Sequence, residues 1–231
     1  MEYTNSELNS LPYDKALIQD TRTFIQYYIS LLRINHLLIF SFYLYNKDYN
    51  SQIIKMFLFF FFFAVHFMVN ALFFTDNTMH NIYIEEGSYN LAYQIPKIIY
   101  SVLISAFISF CIKFLALSEK NILSLKHEKN EHDLDILLLR TLKILIIKFA
   151  MFFAISFLLL FFFLFYTSCF CGIYENTQIH LIKDSVISFS LSLINPFWKY
   201  LIPGLFRIPA LRSDKKNMKF IYKFSQLLQL I

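Results

Sequence analysis

Four apolar stretches, Met56–Phe74, Ile98–Leu117, Phe149–Tyr166 and Ser185–Ile202, constrain this chain more than any other feature. A helix needs about 20 mostly apolar residues to cross ~30 Å of hydrocarbon, and each stretch comes close to that length. Between and around them lie polar pieces of unequal charge. Of the 21 Lys and Arg residues, all but Lys97 and Lys183 fall in the N-terminal piece, the middle loop and the tail, or at the stretch ends beside them. Cationic flanks stay on the cytoplasmic side of a membrane. The pattern therefore predicts four crossings with both ends of the chain inside.

Composition supports a bilayer rather than water as the solvent. The chain is 57% hydrophobic, with 29 Phe and 3 Gly, whereas soluble domains run about 45–50% apolar. The net charge of +5 does not point to nucleic acid. Its cations stand beside apolar spans, where anionic inner-leaflet lipid attracts them, and no basic patch interleaved with aromatics stands apart. Residues 2–20 are polar, so no cleavable signal peptide is expected and the first span serves as the insertion signal. Cys111, Cys169 and Cys171 are too few for a disulfide framework.

The predicted fold is all-α: an integral membrane bundle of four transmembrane helices with amphipathic interfacial helices at both ends. Residues 1–52 form a cytoplasmic segment in which Phe24, Ile25, Tyr28, Leu31 and Leu32 recur near helical spacing. The apolar run 31–45 is interrupted by Arg33, Asn35 and His36. A span there would bury a cation, so it reads as an interfacial helix, with a turn at 46–50. Residues 53–212 hold the spans, about 56–74, 98–117, 146–166 and 185–202. Pro96 suits a first helical turn. The middle loop, 118–143, is expected to be a solvated helix running into the third span. The outer loops are Thr75–Lys97 and Thr167–Asp184. Pro196 would kink the fourth span, for which a re-entrant hairpin is the alternative, and Pro203, Gly204 and Pro209 should break the chain beyond it. Residues 213–231 form a basic amphipathic helix capped by Ser213 and Asp214. Its lysines Lys215, Lys216, Lys219 and Lys223 oppose an apolar face of Phe220, Ile221, Phe224, Leu227, Leu228 and Ile231.

Polar side chains inside apolar stretches mark the faces that meet other helices. His66 and Asn70 share one face of the first span. Ser101, Ser105 and Ser109 form a row on the second. Ser185, Ser188, Ser192 and Asn195 form a stripe on the fourth. The third span offers little besides Ala154 and Ser156. These positions read as helix packing and neutral interhelical hydrogen bonds, with a lined ion path as the rival. His127 and His132 sit among acids, but a spacing of five turns their imidazoles to different faces, and the zinc-hydrolase motif is missing. No nucleophile–base pair, phosphate loop or lipidation box is visible.

Several strings resemble the C-terminal multi-pass membrane region of large, Cys-rich ciliate surface proteins. They are LPYDKALIQDTRTFIQYYISLLRINHLLIFSF (Leu11–Phe42), NKDYNSQIIK (Asn46–Lys55), NALFFTDNTMHNIY (Asn70–Tyr83), QIPKIIYS (Gln94–Ser101), FLALSEKNI (Phe114–Ile122) and the segment Tyr174–Arg212. Those proteins carry long extracellular repeats ahead of this region, which these residues lack. The likeness implies a membrane module and transfers no catalytic residue. The expected function is a non-enzymatic, multi-pass module that anchors or scaffolds a surface assembly. The alternative is a channel or transporter subunit acting as an oligomer. The expected partners are a bilayer with an anionic inner leaflet and further copies or other chains, with no cofactor and no nucleic acid. The expected location is the plasma membrane.

Overall fold

A computed structural model describes residues 3–44, 48–126, 131–174, 177–213 and 218–230. Every regular element among them is an α-helix. In chain order these are α1 (Asn5–Ser10), α2 (Tyr13–Gln19), α3 (Phe24–Asn35), α4 (Leu37–Phe42), α5 (Gln52–Leu72) and α6 (Asp76–Ile84). There follow α7 (Leu91–Ala116), α8 (Glu119–Lys126), α9 (Glu131–Ile173), α10 (Gln178–Lys199), α11 (Leu201–Arg212) and α12 (Met218–Leu230). The chain forms two compact units. One joins Met1–Lys47 to Leu193–Ile231, and the other is Asp48–Ser192.

The Asp48–Ser192 unit contains α5, α7 and α9, three helices long and apolar enough to cross a membrane. Ring contacts give their directions. Phe73 meets Tyr100 and Phe62 meets Lys113, so α5 and α7 run antiparallel. Phe57 meets Phe152 and Phe67 meets Phe163, so α5 and α9 run in the same direction. Successive crossings must alternate in this way. In the most apolar window of α5, 39% of residues are buried, against 22% for α7 and 11% for α9. Thus α5 is the central helix, and α9 turns Phe157, Phe161 and Phe165 outward. At 1.5 Å per residue, the 43 residues of α9 reach about 65 Å, twice the hydrocarbon thickness. One end of it must stand clear of lipid.

Polar contacts tie the residues before α5 to the junction of α7 and α8, and that junction to α9. The Asn50 Oδ1 accepts from the backbone N–H of Ser118 and Glu119 at 3.1 and 3.2 Å, which caps α8. The Ser118 hydroxyl donates to the Tyr49 carbonyl. Lys148 donates to the Leu117 carbonyl and to Asn121 Oδ1 at 2.9 and 3.0 Å. Lys55, 1% exposed, pairs with Asp48 at 2.6 Å.

The unit built from the chain's two ends has a different character. Its core holds Tyr27, Leu31, Leu32, Tyr200 and Ile208, with a second cluster of Leu11, Ala16, Ala210 and Tyr222. Gly204 sits against the Phe24 ring, and a Cβ there would come within 2.7 Å of it. The glycine is therefore needed for close approach of α3 and α11. Helix α3 begins at a capping box in which Thr23 and Gln26 satisfy each other's backbone N–H. It stops at Asn35, and His36 caps α4.

Several boundaries differ from the sequence reading. Helix α7 starts at Leu91, because the Asn90 side chain accepts from Tyr93 N–H, so Pro96 lies inside the helix rather than in its first turn. The loop expected over Thr167–Asp184 is helical over most of its length, since α9 continues to Ile173 and α10 begins at Gln178. Residues 201–212 stay helical through Pro203, Gly204 and Pro209. Pro203 costs little there, because the third residue of a helix has no intrahelical N–H partner to lose. Helix α10 has 22 residues, but Lys183, Asp184 and Lys199 interrupt its apolar run. Asp214, Lys215, Lys216, His127 and the first two residues of the turn expected at 46–50 lie outside the described residues, as does the His132 side chain.

Candidate functional site

A polar seam runs through the Asp48–Ser192 unit where α5 meets α10. The Asn70 amide, fully buried, donates to Ser188 Oγ at 2.7 Å and to the His66 carbonyl at 2.8 Å. The Ser188 hydroxyl lies 3.4 Å from His66 Nδ1 and 3.1 Å from the Ser185 carbonyl. Phe189 packs edge-on against His66 and Phe63. This Ser–His pair has none of the geometry of a nucleophile and its base. The contact is long, the hydroxyl is already engaged by Asn70, and no acid orients the imidazole among the described residues. It works as an interhelical hydrogen-bond knot.

Further along α10 lies a charged cluster. Asp184 is 0% exposed, and its carboxylate takes an ion pair from Lys97 on α7. The Tyr89 hydroxyl donates to the other carboxylate oxygen at 2.5 Å. The Lys97 ammonium also lies over the Phe74 ring, 3.8 Å from its centroid, and Lys183 lies over Tyr89. The His180 ring is tilted on Tyr89 at 5.6 Å. Burial, together with the bond to Asp184, pushes the Tyr89 phenol well above its ordinary value. It therefore remains a neutral donor.

The residues singled out from the sequence separate into three groups. His66, Asn70 and Ser188 come together in the knot. Ser101 and Ser105 are fully buried, while Ser109 is half-buried. Neither Ser101 nor Ser105 Oγ, nor Asn70 Oδ1, has a hydrogen-bond partner among the described residues. Ser192 is half-buried and among the described residues bonds back to Phe189, and Asn195 is exposed. Lys219 and Lys223 are exposed on α12, with Lys219 paired to Asp14 at 3.1 Å. Phe220, Phe224 and Leu227 also face outward there, while Tyr222 and Ser225 are buried.

Two constellations were not foreseen. One is Lys97–Asp184–Tyr89. Its signal was the odd placement of Lys97, one of only two cations on the sparsely charged loops. The other lies in the unit made from the chain's ends. There Arg207 is 0% exposed and donates to Asp20 Oδ2 from Nε and Nη2 at 3.2 and 2.9 Å. It also donates to the carbonyls of Asn9 and Leu8. Arg22 grips the same carboxylate through Nε and Nη2 at 2.7 and 2.9 Å. The Tyr27 and Tyr222 rings flank the Arg207 guanidinium.

Among the described residues no group of three His, Cys, Asp or Glu side chains could hold a metal ion. Cys111, Cys169 and Cys171 are free thiols. No protein-family model, no curated protein and no solved structure matches the chain.

Proposed function

We propose that the protein is a four-crossing membrane module, non-enzymatic, that anchors or scaffolds a surface assembly and keeps both ends of its chain on the cytoplasmic face. The fourth crossing is α10, whose Ser188 bonds to Asn70 on α5. Flanking helices α3 and α12 lie at the inner surface. The observation that carries this reading is the unit made from Met1–Lys47 and Leu193–Ile231. Its first part precedes the long apolar helices, and its second part follows them. Segments that fold together must share a side, so the number of crossings between them must be even, and three alone would separate them. The charge bias supports the cytoplasmic side for that shared unit.

Anchoring is favoured over conduction by the state of the seam. Its Asn70–Ser188–His66 bonds are internal, and its one fully buried carboxylate is neutralised by Lys97. The Lys97–Asp184 pair meets the need of buried ionisable groups for a partner within the protein. The resemblance of Leu11–Phe42 and Tyr174–Arg212 to ciliate surface proteins implies a plasma-membrane location.

Single cysteines introduced at Asn5, Ser124, Ser213 and Tyr83, with the three native thiols replaced by Ser, test the threading. In sealed vesicles an impermeant maleimide should reach Asn5→Cys, Ser124→Cys and Ser213→Cys from one side and Tyr83→Cys from the other. Labelling of Asn5→Cys and Ser213→Cys from opposite sides overturns the reading. Ion flux in proteoliposomes that is lost in His66→Ala would replace the anchor with a channel.

A further inference from the structure

We propose that the unit built from the chain's ends carries a binding site for a phosphate group, in the cavity between Arg22 and Arg33, and that its occupant is the headgroup of an anionic inner-leaflet phospholipid. The lipid source rests on the membrane-module reading above; the anion chemistry does not. The cavity has a volume of about 440 Å³ and its polar lining is Asn5, Thr21, Arg22, Gln26, Ser30 and Arg33. No carboxylate is among the lining residues. On α3, Gln26, Ser30 and Arg33 follow at helical spacing with Ile29, so one face supplies most of the wall.

The charge balance favours an anion there. Asp20 is shared by two guanidiniums, those of Arg22 and Arg207. One carboxylate neutralises one of them, which leaves a net positive charge behind the cavity wall. Arg33 adds a second charge and, among the described residues, is engaged by the Tyr43 hydroxyl, at 3.3 Å, and the Tyr43 ring. Arg22 spends Nε and Nη2 on Asp20 and Nη1 on Ser30, so each terminal nitrogen keeps an N–H free. The Gln26 Oε1 is occupied by Thr23 N–H, which turns its NH₂ into the available donor. Planar arginine forks matched by amide donors suit phosphate oxygens.

Exposed apolar side chains decide between a free anion and a lipid. Ile29 lines the cavity and is 39% exposed, and Ile25 on α3 and Ile18 on α2, in the same unit, are 65% and 80% exposed. A soluble anion gains nothing from them. A phospholipid does, because the isoleucines enter the acyl boundary while the arginines hold the headgroup.

The test uses the full chain in a non-ionic detergent, with binding followed by native mass spectrometry. The probes are dihexanoyl phosphatidylinositol 4-phosphate, the free inositol bisphosphate headgroup and inorganic phosphate. The short-chain lipid should bind saturably and more tightly than either headgroup or phosphate. Arg33→Gln should weaken it roughly fivefold, the loss expected for one basic residue near a lipid headgroup. Gln26→Glu is the second variant. It keeps the capping box, since Glu serves that position as well, but puts a carboxylate in the cavity and should abolish binding. Lys143→Gln, an exposed cation on α9, should leave binding unchanged. Equal losses in Lys143→Gln and Arg33→Gln, or no saturable binding by any probe, overturn the site. Equal affinity for inorganic phosphate overturns the lipid source and leaves a soluble anion. Because the assay needs no intact bilayer, its failure leaves the cysteine-labelling result, and hence the threading, untouched.

Discussion

Arg207 and Asp20 meet at 2.9 Å across 187 residues of sequence, both side chains fully buried. They join α11 to the turn between α2 and α3, and so bind the chain's end to its beginning. A buried ion pair is poor evidence of net stability, but losing one partner strands a charge and costs about 3–5 kcal/mol. We expect Arg207→Met and Asp20→Asn each to lower the stability of this unit by about that amount. Arg207→Lys should rescue little, because a point charge cannot hold the carboxylate and also the carbonyls of Leu8 and Asn9. Protease cleavage within residues 3–44 reports the loss. Cleavage rates equal to the parent protein in Arg207→Met would refute it.

The same carboxylate sets an acid limit. Burial opposes the ionisation of Asp20, yet hydrogen bonds and charges from Arg22 and Arg207 outweigh it, holding the pKa below its ordinary value of 3.8. A depressed folded value means that its contribution is complete above the unfolded pKa and drains away as pH falls through the folded one. Protease resistance of the end-to-end unit should therefore fall below about pH 4. Asp20→Asn, already destabilised, should show a flatter response there.

At the alkaline end Tyr27 plays the converse part. Burial pushes its phenol from 10.0 up to about 12. A raised folded value gives stability that is whole below the unfolded pKa and is lost as pH climbs through the folded one. Phenolate absorbance should include a group titrating near 12 that Tyr27→Phe removes. The unit should loosen between the two values. A phenolate at Tyr27 formed near 10 would mean that the ring is open to water.

The helical class and the apolar helices were legible because hydrocarbon imposes a length and composition that few other environments demand. Asn70 and His66 were legible as an inward face because a four-residue spacing fixes it. What lay beyond reading were pairings set by tertiary structure. Nothing local to Asp20 points to Arg207, and the prolines at 203 and 209 argued for a break that the surrounding packing overrides. Helix ends were misjudged where a single side chain decides them, as Asn90 does by starting α7 ahead of Pro96. The Lys97–Asp184 pair was half visible. Lys97 broke the charge rule and needed a partner, but Asp184 had been assigned to a loop.

That pair gives the sharpest energetic test. Lys97→Met leaves the Asp184 carboxylate 0% exposed with Tyr89 as its remaining donor. Asp184→Asn leaves an ammonium whose side chain is 10% exposed and still rests on the Phe74 ring. The stranded carboxylate is the worse case, so Lys97→Met should cost more, towards about 5 kcal/mol, and Asp184→Asn nearer 3. Tyr89→Phe removes one hydrogen bond to a charged group and should cost about 1.5–3 kcal/mol. Lys97→Met combined with Asp184→Leu removes both charges and should recover most of the loss, since a buried pair replaced by apolar side chains is often neutral. Thermal unfolding of the purified protein in one detergent ranks the four variants. If the double variant is less stable than either single one, the pair contributes net attraction rather than mutual neutralisation, and α7 and α10 are held together by charge.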